Sequence, residues 1–268
     1  MDKSVFYEEL TALQLKNLQQ KNAVIMFSMG SIEQHSSHLP VGTDYLCSRK
    51  RAANIASQCN CIVFSPLQLG YSFNHVGMFS TISISAETLI NLLRDIFLQL
   101  CDQGWKRFII MSGHAGNWGA IEVAVQLVRE KYPRSQFIVT KGIPSVGTKY
   151  EVERFYKNFD QHAGKVETAL VSYYYPNLLD KDNIPTANVA LPGILKRHLA
   201  QTILDEVDVL LIKAYTPQKT VELSDKGNWG VQDPHDYVEI PIEKVMKAYE
   251  NYFVRLISRW DTWEEEQC

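Results

Sequence analysis

Residues 23–30, AVIMFSMG, form a nearly unbroken apolar run that stops at a glycine, and this run decides the fold class. A strand buried on both faces reads this way, because neither side of it meets water. Three more runs repeat the pattern: CIVFSPLQLG (61–70), RFIIMSG (107–113) and QFIVTKG (136–142). Helical periodicity lies between and after them. In SAETLINLLRDIFLQLCDQG (85–104), Leu89, Leu92, Leu93, Ile96, Phe97 and Leu100 share one stripe, with Ser85 as N-cap and Gly104 as the stop. NWGAIEVAVQLVREKYP (117–133) begins at Asn117 as N-cap, and ETALVSYYYP (167–176) is halted by Pro176. PIEKVMKAYENYFVRLISRW (241–260) opens with Pro241 at the first helical position. Strand and helix in alternation predict an α/β fold with a mainly parallel central sheet.

The composition suits this reading. Of 268 residues, 46% are hydrophobic and 21% charged, enough for a sizeable core and against extensive disorder. A net charge of -3 gives no reason to expect nucleic acid or an anionic membrane as partner. The N-terminal MDKSVFYEELTALQL lacks a hydrophobic signal core, and no apolar run approaches the ~20 residues of a membrane span. Cysteines 47, 59, 61, 101 and 268 show no CxxC pair; Cys59 and Cys61 form a C-x-C that reads as a weak metal pair or as two buried small residues. A reduced, cytoplasmic protein is expected. With no internal repeat or linker, residues 1–268 read as one domain, and the irregular 181–240 as loops that cover a site.

Polar residues gather where such a fold binds ligands, outside the carboxyl ends of its strands. GSIEQHSSHLPVGTDY (30–45) follows the first strand with Glu33, His35, His38 and Asp44. SGHAGNW (112–118) follows the third with His114, and FDQHAGKVETAL (159–170) adds His162 and Glu167. Carboxylate oxygens with imidazole nitrogens suit Zn, Mn or Fe(II), and a carboxylate such as Asp44 can bind two cations about 3.5–4 Å apart. Duller readings stand beside this one: Asp44 as an N-cap for a helix in 45–58, His114 as a turn residue, and Glu167 as a helix-dipole partner.

GSIEQHSSHLPVGTDY, SGHAGN and HAGKVETAL resemble the three signature segments of the creatininase (creatinine amidohydrolase) family, and GNWGVQDP (227–234) resembles a fourth. Their order and spacing agree over roughly residues 25 to 240. The resemblance implies a three-layer α/β/α sandwich and two divalent metal ions per subunit (Zn, Mn or Fe). Glu33 and His114 would bind one metal, His35 and Glu167 the other, and Asp44 would bridge them. His162 would handle protons while a hydroxide between the cations attacks an amide carbonyl, and His38 and Asn117 would support the ligands or substrate. It also implies a small-molecule amide substrate and a homo-oligomer, with a hexamer suspected. For the aromatic-rich VSYYYP (171–176) and YENYFVRLISRWDTW (249–263), interface and buried core are equal readings.

The chain also departs from the family pattern. Enzymes that open creatinine carry Tyr-Glu where this chain has Ala115-Gly116, which removes a group expected to assist the nucleophilic water. Ser36 replaces a usual Gly, MFST (78–81) a usual FPGT, and Lys165 a usual Glu, which would bind an acidic substrate group or point to solvent. The expected activity is a metal-dependent amidohydrolase, with a formamide deformylase, a peptidase or a catalytically lost binding protein as alternatives.

Overall fold

Each apolar run becomes a strand in the computed structural model, which describes residues 4–141, 160–187, 219–230 and 233–262. The strands are β1 (Val24–Met29), β2 (Cys61–Leu67), β3 (Arg107–Ser112) and β4 (Gln136–Lys141). All pair in parallel, in the order β2-β1-β3-β4. The central strands β1 and β3 are buried at every residue, which explains their unbroken apolar sequence.

The helices are α1 (Ala12–Gln20), α2 (Thr43–Ala56), α3 (Ala86–Asp102), α4 (Trp118–Lys131), α5 (Lys165–Tyr174) and α6 (Ile242–Ser258). Alternate residues of a strand face opposite sides, and β1 shows the consequence. Its Ile25, Phe27 and Met29 pack with Leu89, Leu93 and Phe97 of α3 and Ile121 and Ala124 of α4. Its Val24 and Met26 pack with Ala52 and Ile55 of α2 and Tyr249 and Phe253 of α6. Helices therefore cover both faces, giving the expected α/β/α sandwich. Tyr174, Tyr249, Phe253 and Trp260 are all buried, so these members of the aromatic-rich stretches belong to the core.

The strand order also positions the site. From β1 the chain goes by α2 to β2 on one flank, then by α3 on the opposite face to β3 on the other flank. Loops leaving β1 and β3 thus part in opposite directions and open a crevice at the carboxyl ends of the strands. The N-terminus of α2 sits directly over it. An added Cβ at Gly30 would lie 2.2 Å from Tyr45 N, and one at Gly113 would lie 2.2 Å from Asp44 O. Only glycine permits this approach, which explains why both strands exit through one.

Two local expectations need correction. Asn117 precedes α4 but makes no side-chain cap. Its side chain instead accepts from Tyr71 N–H (2.9 Å) and donates to Gly30 O (2.9 Å), tying the exits of β1, β2 and β3 together. Pro241 lies one place before α6 rather than inside it. Ser85 does cap α3 by accepting from Thr88 N–H, as expected.

Outside the main sheet, β5 (Asp160–His162) pairs antiparallel with β6 (Trp229–Gly230). This joins the HAGKVETAL segment to the GNWG segment. Much of 181–240, expected to cover a site, lies outside the described residues, as do Val231 and Gln232 of the fourth segment. Among the described residues, no helix is long and apolar enough to cross a membrane.

Candidate metal centre

The structure brings Glu33, His35, Asp44, His114, His162 and Glu167 together at this crevice. Asp44 is not the N-cap of α2, since that position is Gly42; it lies in the first turn, with its side chain turned inward. Its two oxygens face different groups. Oδ2 lies 3.2 Å from His114 Nδ1, which is also 3.3 Å from Glu33 Oε1. Oδ1 lies 3.5 Å from His35 Nε2, which is 3.8 Å from Glu167 Oε2. Two clusters of the right compactness for a cation result, Glu33–Asp44–His114 and His35–Asp44–Glu167, with Asp44 common to both. A third grouping, Glu33–His35–His162, is equally compact.

Backbone carbonyls orient the rings. His35 Nδ1 donates to Glu33 O (3.1 Å) and His114 Nε2 to Tyr71 O (3.0 Å), so the other nitrogen of each ring faces the carboxylates. Ser31 Oγ donates to Asp44 Oδ2 at 2.6 Å. Glu167 opens α5 and accepts from Ala163 N–H at 2.6 Å while lying 3.8 Å from His35 Nε2, so it serves the helix terminus and faces the cluster at once. His38 stands one layer out, with Nε2 2.8 Å from Thr168 Oγ1, one residue past Glu167.

Electrostatics show what the cluster wants. Burial works to raise Glu33, yet the charge of His114 holds its carboxyl down at about 2. Asp44 is held well below the usual range, against burial, by His35 and His114. Burial opposes the cationic form of His35, but Asp44, Glu167 and Glu33 raise it to about 10, and Glu33 and Asp44 act likewise on His114. Three carboxylates converge on one buried space and select positive charge. Glu33 Oε2 and His35 Nε2 are buried and accept or donate no hydrogen bond. Such atoms are costly unless something occupies them, so the donor set fits divalent cations.

His75 was not among the expected residues. It follows β2, whose exit reaches the same edge of the sheet, and that position is the signal in the sequence. Its Nε2 lies 3.8 Å from Glu33 Oε1, and its ring stacks on His162 with centroids 4.0 Å apart. Burial pushes His75 down to about 4 and His162 well below its ordinary value, which favours the neutral form of both rings. Gln34, between two expected ligands, touches both rings.

The departures from the family pattern acquire physical causes. A Cβ at Gly116 would lie 2.3 Å from Tyr71 O and 2.4 Å from His114 Nε2. The backbone of the β2 exit fills the space that a side chain there would need. Ser36 and Ser80 have φ of 59° and 72°, a conformation that glycine takes more readily. Lys165 neither faces the centre nor points freely to solvent: its Nζ pairs with Glu239 at 2.7 Å. No cysteine joins a cation-sized cluster among the described residues, and Cys61 is buried, so the small-residue reading of the C-x-C fits.

Known proteins resemble this chain in sequence and in fold. The creatininase family model, described as creatinine amidohydrolase, matches residues 8–257. Creatinine amidohydrolase of Pseudomonas putida is 28% identical over 202 residues, covering 69% of this chain and 77% of that protein. The 3-dehydro-scyllo-inosose hydrolase of Thermotoga maritima is 22% identical over 91% of this chain and 85% of its own. A mycofactocin precursor peptide peptidase of Mycolicibacterium smegmatis is 27% identical over 62% and 64%. Among solved structures, a manganese creatininase superposes with TM-score 0.77 at 21% identity, covering 97% of this chain and 99% of that one. At that identity the likeness speaks for the fold. The family model, which spans all four signature segments, speaks for descent: this chain belongs to the creatininase family of hydrolases.

Proposed function

We propose that the chain is a two-metal hydrolase of an amide-type C–N bond in a small molecule other than creatinine. The observation that carries this reading is the sharing of Asp44 between two cation-sized clusters, one through each of its oxygens. Glu33, His114 and Asp44 would hold one Zn, Mn or Fe ion, and His35, Glu167 and Asp44 the other. Two such cations supply Lewis acidity, polarising a carbonyl and favouring ionisation of water near neutral pH. His162 is the proton carrier. Its Nε2–H donates to Gln34 O at 2.7 Å, which leaves the Nδ1 lone pair facing the centre, 3.7 Å from Glu33 Oε1. From there it takes a proton from the attacking water and returns it to the leaving nitrogen. Thr168 and Asn117 act indirectly, the first by orienting His38 and the second by joining the strand exits.

Creatinine is disfavoured because Gly116 has no room for the carboxylate that creatinine-opening relatives carry. Formamides, cyclic amides and short peptides are the candidates, and a homo-oligomer, a hexamer by family analogy, in the cytoplasm is the expected form. The test is elemental analysis of dialysed protein, followed by a screen of the Mn- or Zn-loaded form against these compounds, creatinine and an inosose. Two metals per chain with turnover of an amide supports the reading. A chain that takes up neither metal supports a binding protein that has lost catalysis.

A further inference from the structure

Resting on that reading, we propose that His75 is a substrate-binding donor, whose Nε2–H receives the carbonyl oxygen of the amide while His162 serves its nitrogen. The proton positions follow from Gln34. Its Oε1 accepts from Ser36 N–H at 3.0 Å, which identifies Nε2 as the –NH2 end. An –NH2 group has two hydrogens to donate and no lone pair to offer. One goes to Gly227 O at 2.9 Å and the other to His75 Nδ1 at 3.4 Å. Thr220 Oγ1 lies 3.1 Å from the same Nδ1, and its hydroxyl can donate to the lone pair that Gln34 leaves there. His75 Nδ1 is therefore the lone-pair nitrogen, and Nε2 carries the hydrogen.

His162 has the opposite arrangement. Its Nε2 lies 2.7 Å from Gln34 O, which only accepts, so the hydrogen is on Nε2 and the lone pair on Nδ1. The Gln34 –NH2 also lies 3.0 Å from His162 Nε2, but that nitrogen carries its own hydrogen and cannot accept one, which leaves His75 Nδ1 as the acceptor. One glutamine thus sets two stacked imidazoles in opposite tautomers. Both free ends point to the same place: His75 Nε2 and His162 Nδ1 lie 3.8 and 3.7 Å from Glu33 Oε1. At 3.8 Å the His75 donor makes no hydrogen bond to that carboxylate. A donor and an acceptor side by side match the two polar atoms of an amide, an oxygen that accepts and a nitrogen that must gain a proton. Thr220 and Gly227 belong to the segment after residue 218, so that segment helps to set the donor.

Acetohydroxamate, a small C(=O)–N compound that ligates divalent metals, is a suitable probe, titrated calorimetrically into Mn-loaded protein. His75→Phe should keep two metals and bind the probe ~10-fold more weakly, as expected for one lost hydrogen bond. His75→Gln, which keeps an N–H donor, should recover most of the affinity, and Thr220→Val should lose ~2–3-fold. Unchanged probe affinity in His75→Phe, loss of a metal from it, or no recovery in His75→Gln overturns the proposal. If His75→Phe fails to fold, unchanged affinity in Thr220→Val does so. Wild-type protein that binds no metal refutes the two-metal reading itself, a separate result.

Discussion

Glu33, His35, Asp44 and His114 hang from β1, α2 and β3, whereas His162 and Glu167 come from residues 160–167, outside the four-stranded sheet. The first set is locked by close packing. Glycines at both strand exits let the α2 backbone rest on them, and Glu33 and Asp44 are 1% and 5% exposed. The second set rests on a short β5–β6 ladder and on α5, whose Leu170, Val171 and Tyr174 pack with Cys47 and Met246 in a smaller apolar cluster, and the Glu167 side chain is 24% exposed. Half of this centre is thus built on the core of the main sheet. The other half comes from later in the chain and rests on a smaller apolar cluster of its own, outside the four-stranded sheet.

The strongest way to break that comparison is to remove a donor from each half. Asp44→Ala should reduce metal content from two to below one per chain and abolish hydrolysis, because both clusters use it. Glu167→Gln should cost only the cation on the His35 side. Elemental analysis reads both, and an Asp44→Ala protein that keeps two metals ends the bridging assignment.

Packing is the next lever. Leu93, on the buried face of α3 against the sheet, should cost about 2–5 kcal/mol on truncation to alanine. Urea denaturation measures this; a loss below half a kilocalorie would mean that the sheet half is not the rigid one. Two glycines sharpen the point with opposite signs. Gly113→Ala would push a methyl into Asp44 O, and roughly 1–3 kcal/mol of destabilisation with weaker metal retention is expected. Gly119→Ala, inside α4 with nothing within 4 Å of the new methyl, should stabilise by roughly 0.5–1 kcal/mol. Melting temperatures that move the same way for both would contradict the close-approach account. The smallest effect belongs to the second half. Lys165→Met breaks the pair with the exposed Glu239 and should change stability by at most ~1 kcal/mol. A larger drop, or loss of the second metal, would show this half to be more tightly built than its contacts indicate.

The strands were legible because burial on both faces leaves a one-dimensional trace, an apolar run ending at glycine. The candidate ligands were legible because the topology places metal-type residues just after such runs. Asn117 was misread as a helix cap since local pattern cannot reveal a side chain's partner 46 residues away, at Tyr71. His75 stayed hidden for a related reason. It is an isolated histidine in a single 3-10 turn, and the pairing of β2 beside β1 brings it to Glu33.

By itself the sequence determined the alternation of strand and helix, the residues able to bind cations and the family they belong to, because periodicity and residue chemistry are local properties. The tertiary structure alone decided that Asp44 turns one oxygen to each cluster, that Tyr71 closes the space at Gly116, and that Gln34 gives His75 and His162 opposite tautomers. Those depend on distances between segments far apart in the chain, which only the packing of β1, β2 and β3 under α2 defines.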